Sequence, residues 1–76
     1  MSFIITRDYI SDDALKDFSY GVVENCKYKF RLYDDDEELY FEGLCSSESF
    51  QPLDMLGAGY GCTTIKYFID GRWDIL

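Results

Sequence analysis

Two stretches of the chain, residues 27–33 and 39–45, alternate apolar and polar side chains with a period of two, and five consecutive acids separate them. Successive side chains point to opposite faces of a β-strand, so this period predicts two strands, each with one buried face. Because a short loop can join only antiparallel strands, the two strands form one hairpin. The side chains predicted to face the core are Tyr28, Phe30, Leu32, Leu39, Phe41, Gly43 and Cys45.

The acids Asp34 to Glu38 are predicted to form the turn of this hairpin, since Asp side chains accept hydrogen bonds from nearby backbone N–H groups. A turn centred on Asp35-Asp36 would place Leu32 opposite Leu39 and Phe30 opposite Phe41. On the outer face, the same register pairs Arg31 with Tyr40 and Lys29 with Glu42. A calcium loop of the EF-hand type is disfavoured, because it would space its acids at alternate positions and lie between helices.

A second hairpin is predicted at TTIKYFIDGRWDIL, where Asp70-Gly71 is the preferred pair for a two-residue type I′ turn. This register places Phe68 opposite Trp73 and Tyr67 opposite Asp74. Both faces carry apolar side chains, so the pattern alone leaves the buried face open. An exposed aromatic face here would be a candidate contact surface.

The remaining segments predict one further strand and little helix. Phe3 to Thr6 reads as a first strand, and a capping Ser11 followed by acids and helical spacing predicts a short helix closing near Gly21. The stretch around Pro52 predicts a single helical turn over the core, and GAGYG, residues 57–61, a flexible or tightly turned connection. The fold class is therefore α+β: a small single domain, residues 1–76, with an antiparallel sheet of four to five strands and one short helix packed on one face.

Composition restricts the function. Of the 76 residues, 47% are apolar, enough for a folded chain, and fifteen acids against seven bases give a formal charge of -8. Direct binding to nucleic acid or to an anionic membrane would work against this charge, whereas a basic protein surface complements it. The amino terminus has too short an apolar stretch for a signal peptide, and no segment approaches a membrane span, which predicts a cytoplasmic protein.

Catalysis and cofactor binding are disfavoured by the residues that carry chemistry. The chain has no His, and Cys26, Cys45 and Cys62 are odd in number and widely spaced, which suits reduced thiols rather than disulfides or a zinc site. No catalytic residue, metal ligand or cofactor is predicted. Lys27, Lys29, Arg31, Tyr33 and Tyr40 do interleave bases with aromatics as single-strand nucleic-acid readers do, but acids adjoin them.

Protein binding is the class that remains. The predicted function is a non-catalytic acidic module that docks on a basic, nucleic-acid-binding protein surface. The predicted contact residues are Asp34, Asp35, Asp36, Glu37, Glu38 and Glu42, with Tyr60 and Trp73 as aromatic anchors. The alternative is a homo-oligomer that uses the apolar face of the C-terminal hairpin.

FRLYDDDEELYFEG, followed by FQPLD and GCTTIKYFIDGRW, resembles a group of small uncharacterised bacterial and phage-type proteins with an FRLYDDDGELYYEG-like core. Glu37 stands where that core has Gly. The resemblance implies no activity and no functional residue. In size and charge the chain is also similar in general character to phage-encoded inhibitors such as anti-CRISPR proteins, an analogy that implies an inhibitor of a nucleic-acid-binding complex.

Overall fold

The computed structural model describes residues 2–76 and contains six strands and one helix. In chain order these elements are β1 (Phe3–Asp8), β2 (Ser19–Tyr20), β3 (Tyr28–Tyr33), β4 (Leu39–Cys45), α1 (Gln51–Tyr60), β5 (Thr64–Ile69) and β6 (Arg72–Ile75). The strands form a single antiparallel sheet in the order β2-β1-β4-β3-β5-β6. The predicted α+β class with one helix is confirmed, but the sheet has six strands rather than four to five.

The core lies on one face of this sheet, under helix α1 and the loop that follows β1. Inward-pointing side chains alternate along β1, β3, β4 and β5, as the period of two predicts. The buried apolar side chains are Phe3, Ile5, Phe30, Leu32, Phe41, Cys45, Leu56, Cys62, Ile65 and Tyr67. We call the other side of the sheet, opposite α1, the outer face.

The first hairpin forms, and Phe30, Leu32 and Phe41 face the core as predicted. Two details are wrong: Tyr40, predicted on the outer face, packs against the core, and the predicted register is displaced by two residues. Phe30 lies opposite Gly43, and Leu32 lies opposite Phe41. The turn is longer than expected: Glu37 N–H donates to the Asp34 carbonyl, and Asp34 N–H to the Glu38 carbonyl. In the observed register the Phe30 ring packs directly over Gly43. A side chain there would clash with it, because a Cβ on Gly43 would lie 2.5 Å from Cζ of Phe30.

The helix predicted from Ser11 to Gly21 is wrong, and the segment is an irregular loop followed by the short strand β2. Asp12, Asp13 and Asp17 have positive φ values of 52°, 62° and 71°, which no right-handed helix allows. The backbone N–H groups that a Ser11 cap was expected to serve are bound by another residue. Ile10, Ser11 and Leu15 donate to the carboxylate of Asp8, which stabilises a loop instead of a helix.

Helix α1 spans ten residues, so the single turn predicted near Pro52 is too short. Pro52 lies in the first turn, where backbone N–H groups have no partner within the helix, so its missing N–H costs no helical hydrogen bond. The glycines read as a connection continue the helix instead: Gly57 is buried, and a Cβ there would lie 2.9 Å from the Cys62 carbonyl oxygen. Gly61, at φ 81°, ends the helix in the left-handed conformation.

The second hairpin is confirmed in register and turn. Phe68 pairs with Trp73 and Tyr67 with Asp74, and Asp70 and Gly71 have φ values of 52° and 84°, as a type I′ turn requires. Its buried face, which the sequence left open, is the one that carries Tyr67. Trp73 therefore lies on the outer face, and β6 is one edge of the sheet.

Candidate protein-docking surfaces

The tip of the first hairpin is organised by one of its own acids. Oδ1 of Asp34 accepts hydrogen bonds from Asp36 N–H and Glu38 N–H, both at 2.9 Å. The pKa of Asp34 lies below its usual value, and the largest cause is the hydrogen bond from Glu38 N–H. The bonds from Asp36 N–H and the Tyr40 hydroxyl lower the pKa further, while desolvation opposes the shift. The Asp34 carboxylate is thus engaged in shaping the turn, which fixes the positions of its acidic neighbours.

The neighbours of Asp34 project into solvent. Asp35, Asp36, Glu37 and Glu38 are all exposed, and Glu37, at φ 61°, adopts the left-handed conformation that completes the turn. The nearest cation is Lys66, whose Nζ lies 3.9 Å from Oε1 of Glu37, a carboxylate that is 78% exposed. An ion pair this long and this exposed neutralises little of the tip's charge.

Further negative charge lies at the same end of the sheet. Tyr9 N–H donates to the Tyr40 carbonyl at 2.9 Å, so the loop with exposed Asp12 and Asp13 leaves β1 beside the hairpin tip. Helix α1 also ends here, since Thr63 N–H donates to the Tyr33 carbonyl, and its last turn carries no basic residue to offset the carbonyl dipoles. We call Asp12, Asp13 and residues 34–38 the acidic end.

Glu42, predicted as a partner contact, lies instead in an intramolecular network on the outer face. Its Oε2 accepts a hydrogen bond from Nε of Arg31, and its Oε1 one from the Tyr9 hydroxyl, both at 2.7 Å. Burial opposes ionisation of Glu42, but the bonds from Tyr9 and Arg31 outweigh it, so its pKa lies below the ordinary value. The Arg31 guanidinium also stacks on Trp73, 4.1 Å from the ring centroid.

The outer face as a whole is cationic and aromatic, unlike the acidic end. Phe68 and Trp73 pack with centroids 5.2 Å apart. Trp73 also lines a groove of about 330 Å³, together with Lys29, Arg31, Glu42 and Leu44. The aromatic rings that carry a cation on or near this face are Tyr9 with Arg7, Tyr33 with Lys66, Phe68 with Lys29 and Trp73 with Arg31. Negative charge is therefore concentrated at the acidic end, and positive charge on the outer face of the sheet.

The predicted contact residues accordingly fall into three places. Residues 35–38 form one exposed group at the acidic end, and the half-buried Asp34 shapes the turn that presents them. Trp73 lies on the outer face against Arg31, and Glu42 is bound there as described. Tyr60, at the end of α1 on the opposite side of the sheet, packs edge-to-face on Phe41 with centroids 5.2 Å apart. The structure thus groups the acids but separates the two proposed aromatic anchors.

Sequence reasoning missed the contributions of Arg7, Tyr9 and Lys66. Arg7 and Tyr9 flank the buried Asp8, at the end of a strand that the sequence predicts to stop at Thr6. A β-bulge between Ile5 and Arg7 places them on the outer face, and no local sequence signal marks that bulge. Lys66 is placed by the pairing of β5 with β3, a contact between distant segments.

Chemically reactive arrangements are sparse in the part of the chain that the structure describes. Cys45 and Cys62 are buried and Cys26 is half-buried, and none forms a disulfide. Desolvation and the nearby Asp34 charge raise the pKa of Cys62 to about 11, the opposite of what activates a thiol. Within residues 2–76 no cluster of three His, Cys, Asp or Glu side chains could hold a metal ion, and the one helix is too short and polar to cross a membrane.

Comparison with known proteins found no matching family model, no matching curated protein and no matching solved structure.

Proposed function

We propose that this chain is a non-catalytic protein-binding module whose acidic end docks on the basic surface of a nucleic-acid-binding protein. The observation that carries the proposal is the hairpin tip, where Asp34 fixes the turn and its neighbours present exposed carboxylates. Preordered charge of this kind costs little entropy on binding and favours fast, oriented association with a basic partner.

The module would inhibit its partner by occupying the surface to which the partner binds nucleic acid. A surface that binds a nucleic-acid backbone is lined with Lys and Arg, and clustered carboxylates can take the positions of phosphates there. A phage-type role, similar to that of anti-CRISPR proteins, is the specific form of this proposal, and it is supported by small size and a formal charge of -8. Direct binding to nucleic acid or to a membrane is not part of it.

The partner is proposed to be cytoplasmic, as is the chain itself. All three cysteines are free thiols, and such thiols persist in a reducing compartment.

The proposal is tested by reversing charge at the acidic end and at a matched site. Asp35→Lys/Asp36→Lys changes two exposed residues of the tip, whereas Glu24→Lys/Glu48→Lys changes two exposed residues in loops at the opposite end of β3 and β4. Both double variants alter the net charge by the same amount, so they differ only in where the charge lies.

Immobilised protein is exposed to a lysate of the native host at low salt. We expect the unmodified chain and Glu24→Lys/Glu48→Lys to retain a basic nucleic-acid-binding protein, and Asp35→Lys/Asp36→Lys to lose it. Added salt should release the retained protein, because the screening length between exposed charges falls from about 10 Å at 0.1 M to about 3 Å at 1 M ionic strength. Equal retention by both double variants, or retention that salt leaves unchanged, would show that the tip is only a turn.

A further inference from the structure

Strand β6 is an edge strand whose outward backbone groups can be assigned from its pairing. Leu76 N–H donates to the Ile65 carbonyl at 3.1 Å, and Tyr67 lies opposite Asp74. In an antiparallel pair, alternate residues exchange both hydrogen bonds with the partner strand and the residues between them point theirs away. Residues 72, 74 and 76 therefore bond to β5, and the N–H and C=O groups of Trp73 and Ile75 point away from the sheet.

The side chains of this edge are divided between the two faces. On the outer face, Ile75 is 67% exposed, and Phe68, opposite Trp73 on β5, is 42% exposed. On the other side, Arg72 and Asp74 are charged residues of opposite sign, and Nε of Arg72 lies 3.2 Å from Oδ1 of Asp74. An edge with free backbone groups, exposed apolar side chains and one charge of each sign has what antiparallel strand addition requires.

We propose that β6 pairs with β6 of a second copy of this chain, antiparallel and with Trp73 opposite Trp73 of the second copy. This register brings Arg72 of each copy opposite Asp74 of the other, which makes two cross-strand ion pairs. A shift of the pairing by two residues in either direction also joins outward backbone groups. One shift places Asp74 opposite Asp74 and the other places Arg72 opposite Arg72, and both contacts are repulsive. The charges on β6 thus favour the Trp73–Trp73 register over its two neighbours.

The symmetry of this pairing fits the charge of the molecule. Antiparallel strands are related by a two-fold axis normal to the sheet, which makes the interface self-complementary and closed. The acidic ends of the two copies then point in opposite directions, so the concentrated negative charges are kept apart. The other edge of the sheet, β2, has only two residues and offers far less backbone to a partner strand.

The dimer is independent of the proposed function and is tested by sedimentation equilibrium on the full chain. We expect the unmodified chain to show concentration-dependent dimerisation. Arg72→Asp and Asp74→Arg should each weaken the dimer by about tenfold, because both cross-strand pairs become repulsive. The Arg72 side chain is 78% exposed, so the fold should survive, which far-UV circular dichroism checks.

Mixing the two single variants tests the proposed Arg72–Asp74 pairing most directly. In a mixed dimer every cross-strand pair is again of opposite charge, so Arg72→Asp and Asp74→Arg together should associate more tightly than either does alone. The double variant Arg72→Asp/Asp74→Arg should likewise recover self-association. An unmodified chain that stays monomeric at every concentration, or mixed variants that associate no better than the separate ones, would overturn the proposal.

Discussion

Asp8 should be the residue whose loss most disturbs the loop after β1. Its side chain is buried, with 3% of the residue exposed. Oδ1 accepts hydrogen bonds from Ile10 N–H and Ser11 N–H at 3.0 Å, and Oδ2 accepts one from Leu15 N–H at 3.1 Å. One carboxylate therefore replaces the backbone bonds that a helix would have made, and it holds Leu15 against the core.

The magnitude follows from those three bonds. A hydrogen bond to a charged group contributes about 1.5–3 kcal/mol, and water can reach part of this loop, so Asp8→Ala should cost about 3 kcal/mol in the free energy of unfolding. For a domain of this size that corresponds to a fall in Tm of roughly 12–24 °C. Asp8→Asn should cost less than Asp8→Ala, because the amide oxygen can still accept hydrogen bonds from the loop. Some cost should remain, because the amide NH₂ would face Leu15 N–H, a second donor.

Thermal and urea unfolding followed by circular dichroism measure this effect. Asp12→Asn is the matched control: it changes an exposed acid of the same loop, and Asn tolerates the positive φ found there. Its cost should stay within about 0.5 kcal/mol. If Asp8→Ala unfolds at the same temperature as the unmodified chain, the carboxylate does not organise the loop.

Three further predictions concern the sheet and its thiols. Gly43→Ala should cost about 1–3 kcal/mol in urea unfolding, because the added Cβ meets the Ile4 carbonyl oxygen and the Phe30 ring. Gly59→Ala, with no atom near its added Cβ, should not destabilise, and equal effects of the two changes would contradict the packing. The pKa of Glu42 is lowered in the folded state, so the stabilisation from Glu42 is present above its ordinary pKa and is lost as pH falls through the folded value. Glu42→Gln should therefore flatten the fall in unfolding free energy at acid pH. An unchanged pH dependence would argue against the Tyr9–Glu42–Arg31 network. Iodoacetamide should label half-buried Cys26 well before Cys62, whose pKa is about 11; mass spectrometry that finds both labelled at one rate in native protein would refute this.

Local patterns in the sequence were enough to predict the hairpins. The alternation from Tyr28 onward predicts the inward side chains of β3 and most of β4, since a strand has only two faces. It fails at Tyr40, beside the register shift between Leu32 and Tyr33. The Asp70-Gly71 pair fixes both the turn and the register of β5 with β6, because few residues adopt two successive positive φ values. The first hairpin lacked such a pair, and Glu37 took the left-handed position that a Gly would have marked, so its register was displaced by two residues.

The parts that could not be predicted depend on contacts between distant segments. Whether residues 11–21 form a helix depended on the carboxylate of Asp8, and the glycines of α1 are tolerated because Gly57 packs closely against the Cys62 backbone. Of the candidate site, the presence of a turn and the exposure of residues 35–38 could be read from the composition of the segment. The engagement of Glu42 could not, because its partners Tyr9 and Arg31 come from two other strand segments.

The claim that the acidic end occupies a phosphate-binding surface is tested most directly by competition on a captured partner. Binding of this chain to the partner is measured as a short nucleic acid, one that the partner binds, is added in increasing amounts. The account predicts mutually exclusive binding, with the chain displaced by nucleic acid and the Asp35→Lys/Asp36→Lys variant unable to displace nucleic acid in return. A ternary complex in which both remain bound at full occupancy would contradict it.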